Sequence, residues 1–441
     1  MTIKQILKNK IEEEVNIKGW LVSNRGNNKV RFLTINDGSS FSNIQVVVKE
    51  QAEEMDSARI GSAVEVLGNI KLTPGGQQEL EVVASKAILL KNTDMDFPLQ
   101  KNGMSREVLR EIPHLRHRTN LFRAVMRIRS TLTMEIHSYF NSKGFLNVAA
   151  PIITSNDGEG AGEAFVVDDE SKEMFFGKKA TLGVTGQLHA EAYSNGFGNV
   201  YTFAPTFRAE NSHTQKHAAE FWMIEPEMAF KNIFNGIELA DDLLKVVIKN
   251  TIDKHPDEFN FFEKFIDNDI KSRLNSFISK GVQTIDYSDA VKKLQEVRDK
   301  FEIKDIEFGI DLATEHEKYI ASELFGGPVA VINYPKNIKA FYMKQNDDNK
   351  TVAAFDVLVP GIGELVGGSQ RETNYDKLIE RINEMGLDQE DLQWYLDLRR
   401  YGQHESTGFG LGFERLVMYV TGIENIRDVI PFVRTPKNLK M

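Results

Sequence analysis

Three segments set charged side chains beside turn or strand residues, and each suggests a piece of chemistry. Phe207-Arg-Ala-Glu210, a polar loop Asn211 to Lys216, and His217-Ala-Ala-Glu-Phe-Trp-Met-Ile-Glu225-Pro-Glu227 read as a strand, a loop and a returning strand with charges on one face. An arginine on a rigid strand suits bidentate contact with a phosphate, and Phe221 suits stacking on a purine. Taken alone, the same pattern also describes a surface hairpin with ion pairs. In Ser406-Thr-Gly-Phe-Gly-Leu-Gly-Phe-Glu-Arg415, glycines 408, 410 and 412 alternate with large apolar residues. One strand face is then bare, open to a flat ligand against backbone, while the other packs into a core. The spacing is not that of a G-x-G-x-x-G dinucleotide fingerprint, so a Rossmann reading is poor. In Lys143-Gly-Phe-Leu-Asn-Val-Ala-Ala-Pro151, local rules make Gly144 a helix C-cap and Pro151 a strand-start proline.

The elements that must position these segments follow from periodicity. Short alternating or apolar runs at Val15 to Val22, Val30 to Ile35, Ile44 to Val48, Ala63 to Leu67 and Leu80 to Val83 are separated by turn residues. Five short strands suggest a small barrel of the oligonucleotide-binding (OB) type, with a β-sandwich fitting the bare pattern equally. Residues 93–119 lose the periodicity and read as a basic hinge, with Lys101, Arg106, Arg110, Arg116 and Arg118 against Glu107 and Glu111. Leu121, Val125, Ile128, Leu132 and Ile136 then mark one face of a long helix ending near Gly144. A mixed domain follows, with strands expected at Val200 to Phe203, Phe221 to Phe230, Val329 to Asn333, Ala353 to Val359 and Thr407 to Leu411. Helical patterns cover Gly236 to Asp253 and Tyr375 to Arg400, and residues 255–320 read as a mostly helical insertion. The expected division is 1–92, hinge 93–119 and 120–441.

Composition narrows the chemistry further. The 441 residues include no cysteine, which removes disulfides, thiolate metal sites and thiol nucleophiles and leaves carboxylates, histidines, hydroxyls and water. With 54 Lys+Arg against 64 Asp+Glu the net charge is −10, which argues against coating nucleic acid through bulk positive charge. The first 120 residues carry 17 Lys/Arg and 15 Asp/Glu, a net of +2, and the remainder 37 and 49, a net of −12. Nothing approaches 18 consecutive apolar residues, and Met1 to Glu14 has no apolar signal-peptide core. The expectation is a soluble cytoplasmic protein with no membrane partner.

In this order and spacing, the three segments resemble the three signature motifs of class II aminoacyl-tRNA synthetases, and the resemblance covers nearly the whole chain. A five-stranded barrel joined by a hinge to the catalytic domain is the arrangement of the aspartyl, asparaginyl and lysyl subgroup. The resemblance implies an α+β chain: an OB-fold anticodon-binding barrel followed by an antiparallel catalytic sheet flanked by helices, with the first motif forming a homodimer interface. By position, Arg208 would hold the ATP α-phosphate and Glu210 the adenine amino group or its neighbourhood, with His217 near the β- and γ-phosphates. Phe221 would stack on adenine, Gly410 and Gly412 would line the ATP site, and Arg415 would contact the γ-phosphate. Asp356 and Glu364, in Phe355-Asp-Val-Leu-Val-Pro-Gly-Ile-Gly-Glu364, match carboxylates that bind Mg²⁺, a hard ion that prefers oxygen ligands. A solvated strand-end aspartate also fits Asp356.

For the amino acid, Arg371 in Gly367-Gly-Ser-Gln-Arg-Glu372 resembles the arginine that grips the side-chain carbonyl or carboxylate of Asn or Asp. Glu159, in Asp157-Gly-Glu-Gly-Ala-Gly-Glu163, matches a loop that closes over the substrate ammonium, although glycine-flanked loop charge fits it too. Gln187 matches a residue lining the pocket. An Asp pocket resembles an arginine and a lysine around one carboxylate, and the lysine position here is Ala190. Arg371 would then take the amide oxygen, while Glu225 or Glu227 accepts from the amide NH₂ and repels a carboxylate. The expected reaction is ATP-dependent attachment of asparagine to tRNA through an adenylate. The nearest alternative is an aspartyl or non-discriminating enzyme. A relative making free asparagine would lack the barrel, and a non-catalytic RNA-binding paralogue would lose motif arginines. In the barrel, Phe32 and Gln45 match positions that stack on and hydrogen-bond anticodon bases, and Arg25 a backbone or base contact. Strand core is the competing reading for Phe32.

Overall fold

The computed structural model describes every residue except 77, 100–102, 156–163, 168–173 and 213. The chain divides into two compact units, Met1–Met126 and Arg127–Met441.

The first unit is built on five strands, β1 (Glu14–Gly26), β2 (Arg31–Asn36), β3 (Ile44–Val48), β4 (Ala63–Leu72) and β5 (Leu80–Lys91). They close into a barrel in the order β1-β2-β3-β5-β4, which decides for the barrel over the sandwich. Only β3 and β5 run parallel. Period-2 alternation sends Leu33, Ile35, Ile44, Val46, Val64 and Val66 inward, where Ile3 and Ile6 of the helix Ile3–Asn9 join them. β1 and β5 outrun the apolar segments that announce them. Polar Asn24 and exposed Arg25 still pair with Leu33 and Phe32, so the ladder continues where the hydrophobic signal stops. Residues after β5 are packed as well: Leu99, Leu109 and Phe122 cluster, and the buried Arg116 stacks over Phe122 with Cζ 4.3 Å from the ring centre.

The second unit centres on an eight-stranded sheet. After the short β6 (Leu146–Asn147), three brief strands, β7 (Ile153–Thr154), β8 (Val166–Val167) and β9 (Ala180–Leu182), make a separate small sheet. The main sheet adds β10 (Asn199–Phe207), β11 (Glu220–Ala229), β12 (Gln283–Asp286), β13 (Val329–Ile332), β14 (Ala354–Val359), β15 (Gly363–Gln370) and β16 (Ser406–Gly412). Its order is β12-β13-β14-β15-β16-β11-β10-β6. All inner joints are antiparallel, and the two outermost, β12 with β13 and β10 with β6, are parallel.

The long helix covers Asn120–Ser142, and Gly144 follows it at φ 77°, the left-handed C-cap geometry that glycine adopts without strain. Asn232 caps the helix Ile233–Lys254, which packs on β14, β15 and β16. The pattern at Tyr375 to Arg400 resolves into two helices, Tyr375–Glu384 and Gln393–Arg400, broken at Gly386 with φ 66°. Residues 255–320 hold four α-helices and β12: Pro256–Phe265 and Ile270–Lys280 pack on the helix Ile233–Lys254, and the later part gathers around Tyr287, Leu294, Phe301, Ile306 and Leu312. Among the described residues no helix is long and apolar enough to cross a membrane.

Candidate active site

One face of the catalytic sheet carries the site. On β11 the alternation puts Phe221, Met223, Glu225 and Glu227 on the same side. Register pairs Met223 with Gly412 and Glu227 with Gly408 on β16, and Gly410 and Gly408 with Gly367 and Ser369 on β15. The alternating glycines therefore lie between two strands that bear the functional side chains.

At one end, Arg208, Glu210, His217, Phe221, Glu364, Gly410, Gly412 and Arg415 all line a single pocket. Arg208 follows β10, its backbone N–H bonded to the Ala219 carbonyl at 3.0 Å, and its guanidinium stands 5.4 Å from the centre of the Phe221 ring. Arg415, in the first turn of the helix Phe413–Thr421, donates to Oε2 and to the backbone oxygen of Glu364, at 3.1 and 3.2 Å. His217 is held below the usual imidazole range by burial and then by the charge of Arg415. The bare strip is partly covered: Met223 Cε lies 2.6 Å from where a Cβ on Gly410 would sit.

Two side chains here escaped the sequence reading. Lys216 donates from Nζ to the Ile362 carbonyl, and burial lowers its ammonium to about 8. Glu317, on the helix Thr314–Tyr319, accepts the backbone N–H of Glu364 at 3.1 Å. Burial, and then the neighbouring Glu364 charge, push Glu317 up to about 7.

Asp356 and Glu364 are brought together. Asp356 Oδ1 and Glu364 Oε1 lie 3.3 and 3.0 Å from the point where a Cβ on Gly367 would be, so both carboxylates reach over a residue that has no side chain. Asp356 is buried, not a solvated strand end. Its Oδ2 takes Lys339 Nζ at 2.5 Å, and burial raises its pKa despite that partner. For Glu364 burial is outweighed by Arg415 and Lys339, and its carboxyl sits below the ordinary value.

At the other end lies a buried polar pocket. Arg371 and Glu227 are 2% and 0% exposed and pair bidentately through Nε at 3.1 Å and through Nη2. Arg371 Nη1 donates to Ser369 Oγ at 2.7 Å. Burial raises Glu227 to about 7, with Arg371 opposing the rise. Glu225 accepts from the Gly186 N–H at 2.9 Å and from Thr185 Oγ1. Gln187 starts the helix Gln187–Phe197, on which Ala190 is fully buried. Gln187, Glu225, Glu227 and Arg371 thus belong to one neighbourhood, and Glu159 lies outside the described residues. In place of a lone arginine awaiting a side chain, the structure shows Arg371 already paired with Glu227, leaving one N–H on each terminal nitrogen for a further acceptor. The sequence reading also missed Glu191, Tyr395, Arg399 and Gln403, which bond to one another behind Gln187.

On the barrel, Arg25, Phe32 and Gln45 share an outer face. Phe32 is half-buried between inward-facing Arg31 and Leu33 and is not part of the barrel core. Arg25 pairs with Phe32 across β1 and β2, its Cζ 6.0 Å from the ring centre, and donates to Gln45 Oε1 at 3.1 Å.

Comparison with known proteins agrees with this geometry. Residues 105–436 match the family of class II tRNA synthetases (D, K and N), and residues 15–90 match the OB-fold nucleic acid binding domain. The asparagine–tRNA ligase of Mycoplasma mobile is 62% identical over 433 residues, 98% of this chain and 97% of the relative. That of Metamycoplasma arthritidis is 61% identical over 438 residues, 99% of this chain and 97% of the relative. The crystal structure of asparaginyl-tRNA synthetase from Pyrococcus horikoshii complexed with asparaginyl-adenylate superposes with a TM-score of 0.89 at 33% identity, covering 100% of this chain and 99% of that one. The chain belongs to the class II tRNA synthetases of the D, K and N group and, within it, to the asparagine–tRNA ligase family.

Proposed function

We propose that this chain attaches asparagine to its tRNA in two steps, and that the residues brought together on the sheet carry the chemistry. A carboxylate oxygen of asparagine bonds to the α-phosphorus of ATP while the bond from that phosphorus to the β-phosphate bridge breaks, releasing pyrophosphate. The terminal 3′-hydroxyl of tRNA then attacks the activated carbonyl carbon and AMP leaves. No protein nucleophile is required, which accords with a chain lacking cysteine.

Phe221 stacks on adenine, and Glu210 accepts from its amino group. Arg208 holds the α-phosphate and Arg415 the γ-phosphate, with His217 beside the phosphate tail; fixed cations at these points stabilise charge as it moves onto pyrophosphate. Asp356 and Glu364 would hold Mg²⁺. Among the described residues no group of three or more His, Cys, Asp or Glu is arranged to hold a metal alone, and two carboxylates over Gly367 fit an ion that takes its remaining ligands from phosphates and water. When bound, Mg²⁺ neutralises phosphate charge. Arg371 directs its remaining N–H groups to the side-chain oxygen of asparagine, and Glu225 and Glu227 face the amide NH₂. An aspartate carboxylate would meet these two carboxylates, a buried like-charge contact.

The observation that carries the reading is that the eight ATP candidates line one pocket on the sheet face that also bears the buried Glu227–Arg371 pair. Incubation with radiolabelled asparagine, ATP and transcribed tRNA tests it: acid-precipitable label is expected with asparagine and not with aspartate. The same reading places the protein in the cytoplasm as a homodimer. Leu146, Ile152 and Ile153, in and beside the first motif, are exposed apolar residues, consistent with a covered face, and light scattering is expected to give twice the chain mass.

A further inference from the structure

Behind the amino-acid pocket, one carboxylate gathers four donors. Glu191 is 0% exposed and lies one turn after Gln187 on the same helix. Its Oε2 accepts from Gln187 Nε2 at 2.6 Å and Tyr395 OH at 2.5 Å. Its Oε1 accepts from Arg399 Nη2 at 2.8 Å and Gln403 Nε2 at 2.6 Å. A carboxylate only accepts, so each glutamine must turn its NH₂ toward Glu191 and its oxygen away. Arg399 supplies the opposing charge, its side chain fully buried, and also holds Tyr395 OH at 2.9 Å. The hub is therefore compensated and rigid.

The consequence falls on Gln187. Its Oε1 is buried and has no donor among the described residues, while the Nε2 of the same amide is held by Glu191. Thr185 and Gly186, immediately before it, both donate to Glu225, so the helix that carries Gln187 starts beside Glu225. A buried acceptor without a donor is costly, and the cost is relieved when a ligand supplies one. We infer that Glu191 is a positioning residue, which locks the Gln187 amide so that its oxygen is the acceptor offered to the α-ammonium of the bound amino acid. Without the lock, the amide is free to rotate and present NH₂, a donor facing a cation. This role rests on the function proposed above.

The test uses calorimetric titration of the full chain with asparagine and with succinamate, which is asparagine without its ammonium. Glu191→Leu combined with Arg399→Leu removes both ends of the ion pair, leaves no orphan charge and leaves Gln187 Nε2 no acceptor at position 191. Glu191→Asp, which keeps a charge for Arg399 but withdraws it from Gln187, serves as the second variant where the double one fails to fold. In either, the Kd of asparagine is expected to rise roughly tenfold or more, as for loss of one hydrogen bond to a charged group, while that of succinamate stays within about twofold. An unchanged asparagine Kd, or equal weakening of both ligands, overturns the inference. Wild-type chain that supports no asparagine-dependent pyrophosphate exchange overturns the functional reading, and the role of Glu191 with it; wild-type exchange alongside equal weakening overturns the role alone.

Discussion

Glu227 and Arg371 meet as a fully buried bidentate pair, and they do so across a residue with no side chain. Gly408 pairs with Glu227 on one side and Ser369 on the other, and a Cβ on Gly408 would collide with the Glu227 carboxylate. The alternating glycines thus have a specific use, since position 408 makes room for a carboxylate to reach the arginine. Gly408→Ala is expected to raise KM for asparagine about tenfold or more, because the displaced pair loses its geometry in a site where Glu225, Glu227, Ser369 and Arg371 are all buried. KM for ATP should stay within about twofold, since its candidates lie at the other end of the sheet. Pyrophosphate exchange with each substrate varied in turn reads the split.

Arg208 stands beside Phe221 in the pocket proposed for ATP. Arg208→Ala is expected to lower asparagine-dependent pyrophosphate exchange by about 10²–10³-fold, the range for loss of one preorganised charge-stabilising donor. Arg208→Lys should recover only part of this, because an ammonium does not reproduce the bidentate fork.

Glu317 offers a stability prediction with a definite sign. Its folded value of about 7 lies above the ordinary 4.5, so folding favours the protonated acid. That contribution is fully present below about pH 4.5 and is lost as pH rises through about 7. Without Mg²⁺ and ATP, Glu317→Gln should therefore be more stable than wild type at pH 8, by roughly 1–3 kcal/mol, with the gap closing below pH 5. Glutamine keeps an oxygen for the Glu364 N–H, so that bond does not enter the comparison. Urea midpoints across this pH range measure the difference.

On the barrel, Phe32→Ala should weaken tRNA binding about 5- to 150-fold, the equivalent of roughly 1–3 kcal/mol for one stacked base, and leave pyrophosphate exchange unchanged. Filter binding of tRNA, run beside the exchange assay, distinguishes this from a general loss of stability.

How much of this was legible in the sequence depended on whether the signal was local. β11 and β16 announce themselves by alternation, and with them Phe221, Glu225, Glu227 and the glycines. β15 was not anticipated, because Gly363, Gly367 and Gly368 dilute the apolar pattern that marks a strand, although those glycines are what let Phe355, Asp356 and Glu364 crowd close. The helix Gln187–Phe197 has no side-chain N-cap bond, so it gave no start signal. Recognising it would have exposed Glu191 as the i+4 neighbour of Gln187. Tyr395, Arg399 and Gln403 lie more than 200 residues from Glu191, and no local pattern connects them. Glu317 was hidden for another reason: it sits in a segment that reads as a mostly helical insertion with no assigned role, and only the fold brings that segment to Glu364. The acidic balance also takes on meaning, since part of it is buried carboxylate paired with arginine instead of surface charge.

The central claim is that this pocket activates asparagine and refuses aspartate. Pyrophosphate exchange with each of the twenty amino acids at equal concentration, with and without tRNA, tests it most directly. Exchange driven by asparagine alone is the expected result. Exchange driven by aspartate, or by both amino acids equally, would contradict the assignment of Glu225, Glu227 and Arg371.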